Sequence, residues 1–174
     1  MKIGLVAGGF KPYHKGHHFL VKKASRENDR VIIITSVKSR EDLSGEAMSK
    51  VWREIIMPLM PLQNVSLETV TSPVSATFDH LDSLVDRSTE GVEFNIYGGA
   101  QDLEKRFPND YMLDRYGALM TDGSINLIPV VRGDDSPDAS GTAMRDQLGN
   151  LAAFREGLPK FLKPKASLIM QYLL

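Results

Sequence analysis

The stretch Gly8-Gly9-Phe10-Lys11-Pro12-Tyr13-His14-Lys15-Gly16-His17 decides how this chain is read. Before it stands the short apolar run Ile3-Gly4-Leu5-Val6-Ala7. After it come Phe19, Leu20, Val21 and Ala24 at helical spacing. The pattern predicts a buried strand over 2–7, a glycine-bearing turn, and a helix over 15–27. Gly8 and Gly9 let the backbone approach a ligand with no Cβ in the way, and Gly16 clears space where the helix starts. Pro12 stiffens the turn. His14 and His17 lie one helical turn apart and so can face the same way. Two imidazoles and Lys11 at a helix N-terminus suit an anion better than a cation. A metal-binding histidine pair or two solvent-facing histidines are the plainer readings. The glycine framing, the lysine and the strand-to-helix position weigh against them.

Working outward, apolar runs alternate with helical patterns. Arg30–Ser36 is a continuous β-branched run, as expected of a strand buried on both faces of a parallel sheet. Residues 38–45 read as a polar loop. Met48, Val51, Trp52, Ile55, Ile56 and Leu59 mark an amphipathic helix that Ser44 or Gly45 opens and Pro58 and Pro61 close. Further strands are expected over 64–70, 92–97 and 125–130. Helices are expected around Phe78–Val85, over 101–117 with a break near Pro108, and over 139–148. The tail from Leu151 to Leu174 reads as two more helical pieces. Five strand–helix alternations define an α/β fold: a Rossmann-like open, mostly parallel sheet of about five strands with helices on both faces. In such a sheet ligands sit at the carboxyl ends of the strands. The histidine turn, Gly98-Gly99 and the 132–142 stretch all follow strands, so all three are expected on that one edge.

Composition narrows the classes. The chain has 174 residues, 42% hydrophobic and 25% charged, with a net charge of −1. This fits one domain, 1–174, with a real core. There is no global basic field to recruit nucleic acid. With no cysteine, disulfides, thiolate metal sites and a cysteine nucleophile are excluded. The apolar run after Lys2 is too short for a signal peptide, and no run approaches the ~20 residues that span a bilayer. The expectation is a cytoplasmic protein with no membrane partner. Leu173-Leu174 and the apolar tail either complete the core or pack between copies in a homo-oligomer.

A second chemical motif stands far from the first. In Ser140-Gly141-Thr142-Ala143-Met144-Arg145, Ser140 can cap a helix, Thr142 offers a hydroxyl, and Arg145 carries a forked set of donors suited to phosphate. Alone it reads as a capped surface helix with a solvated arginine. The 132–142 stretch follows a strand, which puts this motif on the same sheet edge as the histidine turn.

The turn resembles the G-x-F-x-P-x-H-x-G-H motif of the HxGH nucleotidyltransferase superfamily, with Gly8, Phe10, Pro12, His14, Gly16 and His17 at the fixed positions. Ser140-to-Arg145 resembles that superfamily's S-x-T-x-x-R element. Within the superfamily the turn looks most like archaeal-type nicotinamide-mononucleotide adenylyltransferases, which typically carry Gln where Lys11 stands. Tyr97-Gly98-Gly99-Ala100-Gln101-Asp102 resembles the small-residue segment against base and ribose, with an ordinary tight turn as the alternative. Ser44-Gly45-Glu46 with Arg53 resembles the loop after the second strand, although Arg53 also reads as a solvated helix residue and Trp52 as core. Glu156-Gly157-Leu158-Pro159 resembles the segment after the second motif.

The resemblance implies transfer of AMP from ATP to a phosphorylated acceptor, nicotinamide mononucleotide foremost, with pyrophosphate leaving. It implies that His14, His17, Lys11 and Arg145 act on the phosphates. Gly8, Gly9, Phe10, Gly16, Gly98, Gly99, Asp102, Ser140 and Thr142 would contact the nucleotide. Mg²⁺ would be held mainly by phosphates and water rather than by a protein cage. Asp134, Asp135 and Asp138 are read as a solvated loop. A cytidylyltransferase, a pantetheine-phosphate adenylyltransferase and a non-catalytic nucleotide sensor share these motifs. A dehydrogenase would want G-x-G-x-x-G after the first strand, which is absent. A class I aminoacyl-tRNA synthetase would need a lysine-rich second motif and far more chain.

Overall fold

A computed structural model describes residues 1–130 and 139–174. Five strands form one sheet: β1 (Lys2–Gly8), β2 (Arg30–Ser36), β3 (Val65–Val70), β4 (Glu93–Gly99) and β5 (Ile125–Val130), in the order β3-β2-β1-β4-β5. Every strand pair is parallel, so the sheet is more uniform than the mostly parallel one expected. The chain steps outward from β1 to β3, then crosses back to β4 on the other side of β1. The switch point of the sheet therefore lies between β1 and β4, and the Gly8–His17 turn leaves β1 at that point. Pro129 falls in β5, at the sheet edge, where its missing N–H costs no ladder bond.

The helices are α1 (Lys15–Glu27), α2 (Gly45–Val51), α3 (Met57–Leu59), α4 (Pro73–Val85), α5 (Ala100–Arg106), α6 (Asn109–Thr121), α7 (Gly141–Asp146), α8 (Leu151–Gly157) and α9 (Ala166–Leu173). Side-chain caps start several of them: Ser44, Ser72, Ser140 and Asn150 each accept from the amide three residues on. Alternate strand residues feed two cores. Val6, Val31, Ile33 and Tyr97 pack with α1, α2 and α9 on one face; Leu5, Ile34, Phe94 and Ile96 pack with α4, α5 and α6 on the other. This places helices on both faces, as the β-branched runs predict.

Three local expectations are corrected. Asn64 precedes β3 instead of opening it: its carbonyl accepts from the Val31 amide at 2.8 Å, and its side-chain amide donates to the carbonyls of Ser25 and Asn28 at 3.0 and 3.2 Å, tying it to the end of α1. The helix after Trp52 is not regular: a π-helical turn (Trp52–Ile56) joins α2 to α3. The break expected near Pro108 is present at Phe107-Pro108, since Pro108 has no N–H to continue the first helix, and the second helix runs on to Thr121. The tail holds a 3₁₀ turn (Lys160–Lys165) between α8 and α9, making three pieces rather than two. Leu173 is buried in the core while Leu174 is exposed.

Candidate functional site

The turn after β1 is built by its own histidines. His14 is the N-cap of α1: its Nδ1 accepts from the amides of Gly16 at 3.1 Å and His17 at 3.3 Å. His17 completes the reciprocal pair, its Nδ1 accepting from the His14 amide at 3.2 Å. This is a capping box made of two imidazoles. An accepting Nδ1 carries no proton, so each neutral ring bears its N–H at Nε2. The rings stack with centroids 3.5 Å apart and planes 18° apart. Thus the pair does face the same way, and the reciprocal cap fixes it so. Gly16 is required for this geometry, since a Cβ there would lie 2.9 Å from His14 Cε1.

Phe10 supports the pair from below. Its ring meets His17 edge-on at 4.7 Å and is 5% exposed. Its backbone sits in the left-handed region at φ 49°, a strained position for a bulky residue that the surrounding core holds in place. Tyr13 and Trp52 close the same aromatic cluster. Trp52 is core: it is 1% exposed, and its buried Nε1 has no hydrogen-bond partner among the described residues. Arg53 is exposed.

Lys11 is folded inward. Its ammonium donates to the carbonyls of Ser36 at 2.7 Å and Gly9 at 3.1 Å, tying the turn to the end of β2. Burial, and then the nearby Arg40 charge, hold its pKa below the usual lysine value. Thr35 adds a bond from its hydroxyl to the Gly9 carbonyl at 3.3 Å.

The second motif docks on the first. Arg145, at the end of α7, donates from Nη1 to the Lys11 carbonyl at 2.8 Å and from Nη2 to Thr142 Oγ1 at 3.3 Å. Its Nε donates to Glu41 Oε2 at 3.2 Å. Gly141 leaves room for this reach, since a Cβ there would stand 3.0 Å from Arg145 Nη1.

Between the motifs lie two adjoining clefts at the carboxyl edge of the sheet. The first, about 190 Å³, is lined by Gly8, Gly9, Phe10, Lys11, His17, Gly98, Gly99, Asp102, Thr142 and Arg145. The second, about 270 Å³, is lined by His14, Gly16 and Ser140 and shares His17, Gly99 and Asp102 with the first. The two clefts thus bring together the residues of the histidine turn, Gly98, Gly99, Asp102 and the Ser140–Arg145 segment, while Ser44, Gly45, Glu46 and Arg53 do not line them. Arg40 and Arg106 also line the first cleft and escaped the sequence reading. Arg106 follows Asp102 by one helical turn, a spacing that places it on the same face of α5. Arg40 belongs to the loop after β2, another strand end on the ligand edge. Among the described residues, Lys11, Arg40, Arg106 and Arg145 outnumber the carboxylate Asp102 in this lining, which favours anions.

The third histidine of the turn does something else. His18 Nδ1 lies 2.8 Å from the Tyr13 hydroxyl, and its ring packs on Phe161. Burial, with a smaller contribution from the Lys22 charge, lowers its pKa from 6.5 to about 4, so it is neutral at pH 7. Burial also raises the Tyr13 hydroxyl well above its ordinary value.

Among the described residues, no group of three or more histidine, aspartate or glutamate side chains is placed to hold a metal ion. Among the described residues lining the first cleft, Asp102 is the one carboxylate. Asp134, Asp135 and Asp138 lie outside the described residues. Among the described residues, no helix is long and apolar enough to cross a membrane.

No protein-family model matches the chain. A phosphopantetheine adenylyltransferase from Mycoplasma capricolum is 26% identical over 124 residues, covering 67% of this chain and 87% of that one. Among solved structures, the Plasmodium falciparum nicotinic acid mononucleotide adenylyltransferase complexed with NaAD superposes with a TM-score of 0.65 at 13% identity, over 98% of this chain and 93% of that chain. A bifunctional NMN adenylyltransferase/ADP ribose pyrophosphatase from Francisella tularensis, complexed with AMP and a Mn ion, gives 0.62 at 16% identity. That match covers 98% of this chain and 48% of the larger protein. At these identities the structural likeness establishes a shared Rossmann-like α/β fold.

Proposed function

We propose that this protein is an adenylyltransferase that moves AMP from ATP to a phosphorylated acceptor. The observation that carries the reading is the joining of the stacked His14–His17 cap to the Thr142–Arg145 segment across one cation-lined cleft. A phosphate oxygen of the acceptor attacks the α-phosphorus of ATP. The bond to the β-phosphate bridging oxygen breaks, and pyrophosphate leaves with that electron pair. The chemistry needs no protein nucleophile, so positioning and charge stabilisation suffice. The Nε2–H donors of His14 and His17 would hold the α-phosphate as its charge grows. Arg145 and Thr142 would hold the β- and γ-phosphates. Lys11 would both pin the turn and set positive charge beneath the junction of the two substrates. Mg²⁺ would be held mainly by the phosphates and water, with the Asp102 carboxylate available to join it. The nucleotide complexes of the structural neighbours support a nucleotide as ligand.

We infer nicotinamide mononucleotide as acceptor and NAD as product, from the Gly8–His17 turn and from neighbours that act on nicotinamide and nicotinic acid mononucleotides. The Mycoplasma capricolum relative favours a second reading, pantetheine phosphate as acceptor. The test incubates the protein with ATP, Mg²⁺ and, in separate reactions, nicotinamide mononucleotide, nicotinate mononucleotide and pantetheine phosphate. NAD from the first supports the proposal. Product from pantetheine phosphate alone moves the acceptor. ATP binding with no product from any acceptor would favour a nucleotide sensor.

A further inference from the structure

The Arg145 side chain is almost fully buried, 7% exposed, and its three partners differ in kind. The Lys11 carbonyl and the Thr142 hydroxyl are neutral groups of the cleft framework. Glu41 is the anion among them, and its side chain is 63% exposed. It sits on the turn between β2 and α2, where Arg40 and Leu43 exchange backbone hydrogen bonds at 3.0 Å. Leu43, 1% exposed, anchors that turn in the core, while the Glu41 backbone adopts φ 51°. The turn therefore presents Arg40 to the cleft and lays the Glu41 carboxylate on the Nε of Arg145. The carboxylate can return to water at little cost; the guanidinium cannot.

We propose that Glu41 is an internal counter-anion for Arg145 that a ligand phosphate displaces. The inference rests on the reading of the cleft as a phosphate site. Glu41 holds the guanidinium oriented when the cleft is empty of phosphate, and any phosphate must compete with it for Nε. The apparent affinity is then reduced by the fraction of molecules in which Glu41 occupies that donor.

The experiment titrates inorganic pyrophosphate into the full chain by calorimetry, wild type against Glu41→Gln, with circular dichroism to verify that both are folded. A partly exposed ion pair of this kind predicts about twofold to fivefold tighter pyrophosphate binding in Glu41→Gln at ~0.05 M salt. The difference shrinks toward nothing at ~0.5 M salt. In an Arg145→Lys background, which keeps a charge but removes Nε, Glu41→Gln brings no gain. Equal or weaker binding in Glu41→Gln overturns the proposal, as does pyrophosphate failing to bind either protein. Binding needs no turnover. Tighter pyrophosphate binding in a protein that converts no acceptor would therefore discard the adenylyl-transfer reading and leave this inference standing.

Discussion

Arg145 and Lys11, 134 residues apart in the chain, are joined by a hydrogen bond from the Arg145 guanidinium to the Lys11 main-chain carbonyl at 2.8 Å. The bond makes one object of two motifs that the sequence shows separately. Lys11 in turn spends its ammonium on the carbonyls of Ser36 and Gly9. The C-terminal ends of β1 and β2 and the end of α7 are thereby fixed to each other around the cleft.

Arg145 consequently has two duties, and substitution should expose both. Arg145→Ala leaves the Lys11 carbonyl without this donor, and we expect a stability loss of about 1–3 kcal/mol in urea denaturation. Turnover should fall by about a hundredfold or more, the scale of losing one donor to a developing phosphate charge. Arg145→Lys should recover much of the stability and little of the turnover, since lysine cannot fork.

The two histidines can be separated by chemistry. His14→Ala removes the cap of α1 and should cost about 1 kcal/mol. His14→Asn restores a good N-cap but has no Nε2–H, so stability returns while turnover stays low. His17→Ala should lower kcat by about a hundredfold to a thousandfold with the fold intact. Thermal melting and initial rates measured on the same samples check all three.

His18 predicts a pH signature in stability. The fold lowers its pKa from 6.5 to about 4, so the unfolded chain takes up the proton first. Stability is therefore complete above pH 6.5 and declines as pH falls from there toward 4, by roughly 2–3 kcal/mol for this group. His18→Gln keeps an acceptor for the Tyr13 hydroxyl and has no titration in that window. The difference in unfolding free energy between variant and wild type should change across pH 6.5 to 4 and stay constant above pH 7.

The parts of the fold that apolar spacing controls were legible in the sequence. Val31, Ile33 and Ile34 are fully buried because a parallel strand is covered on both faces, and Pro108 ends the helix before it because it has no N–H to continue that helix. The π-helical turn at Trp52–Ile56 was not legible, because a shifted hydrogen-bond ladder leaves the apolar stripe of that helix in place. The cleft residues visible in advance were those carried by the turn and by Ser140–Arg145. Arg40 and Glu41 stayed hidden because their positions depend on the path of a polar loop closed by Arg40 and Leu43, which no periodicity encodes. The inward fold of Lys11 was equally hidden, since only the tertiary structure brings the Ser36 carbonyl within reach.

The most direct test of the central claim follows the α-phosphorus. Parallel reactions receive ATP labelled at the α- or the γ-phosphate, with Mg²⁺ and nicotinamide mononucleotide, using wild type and His17→Ala. The proposal predicts α-label in the dinucleotide and γ-label in pyrophosphate, both strongly reduced in His17→Ala. Gamma-label appearing as orthophosphate or on the acceptor, with no α-label transferred, would contradict it.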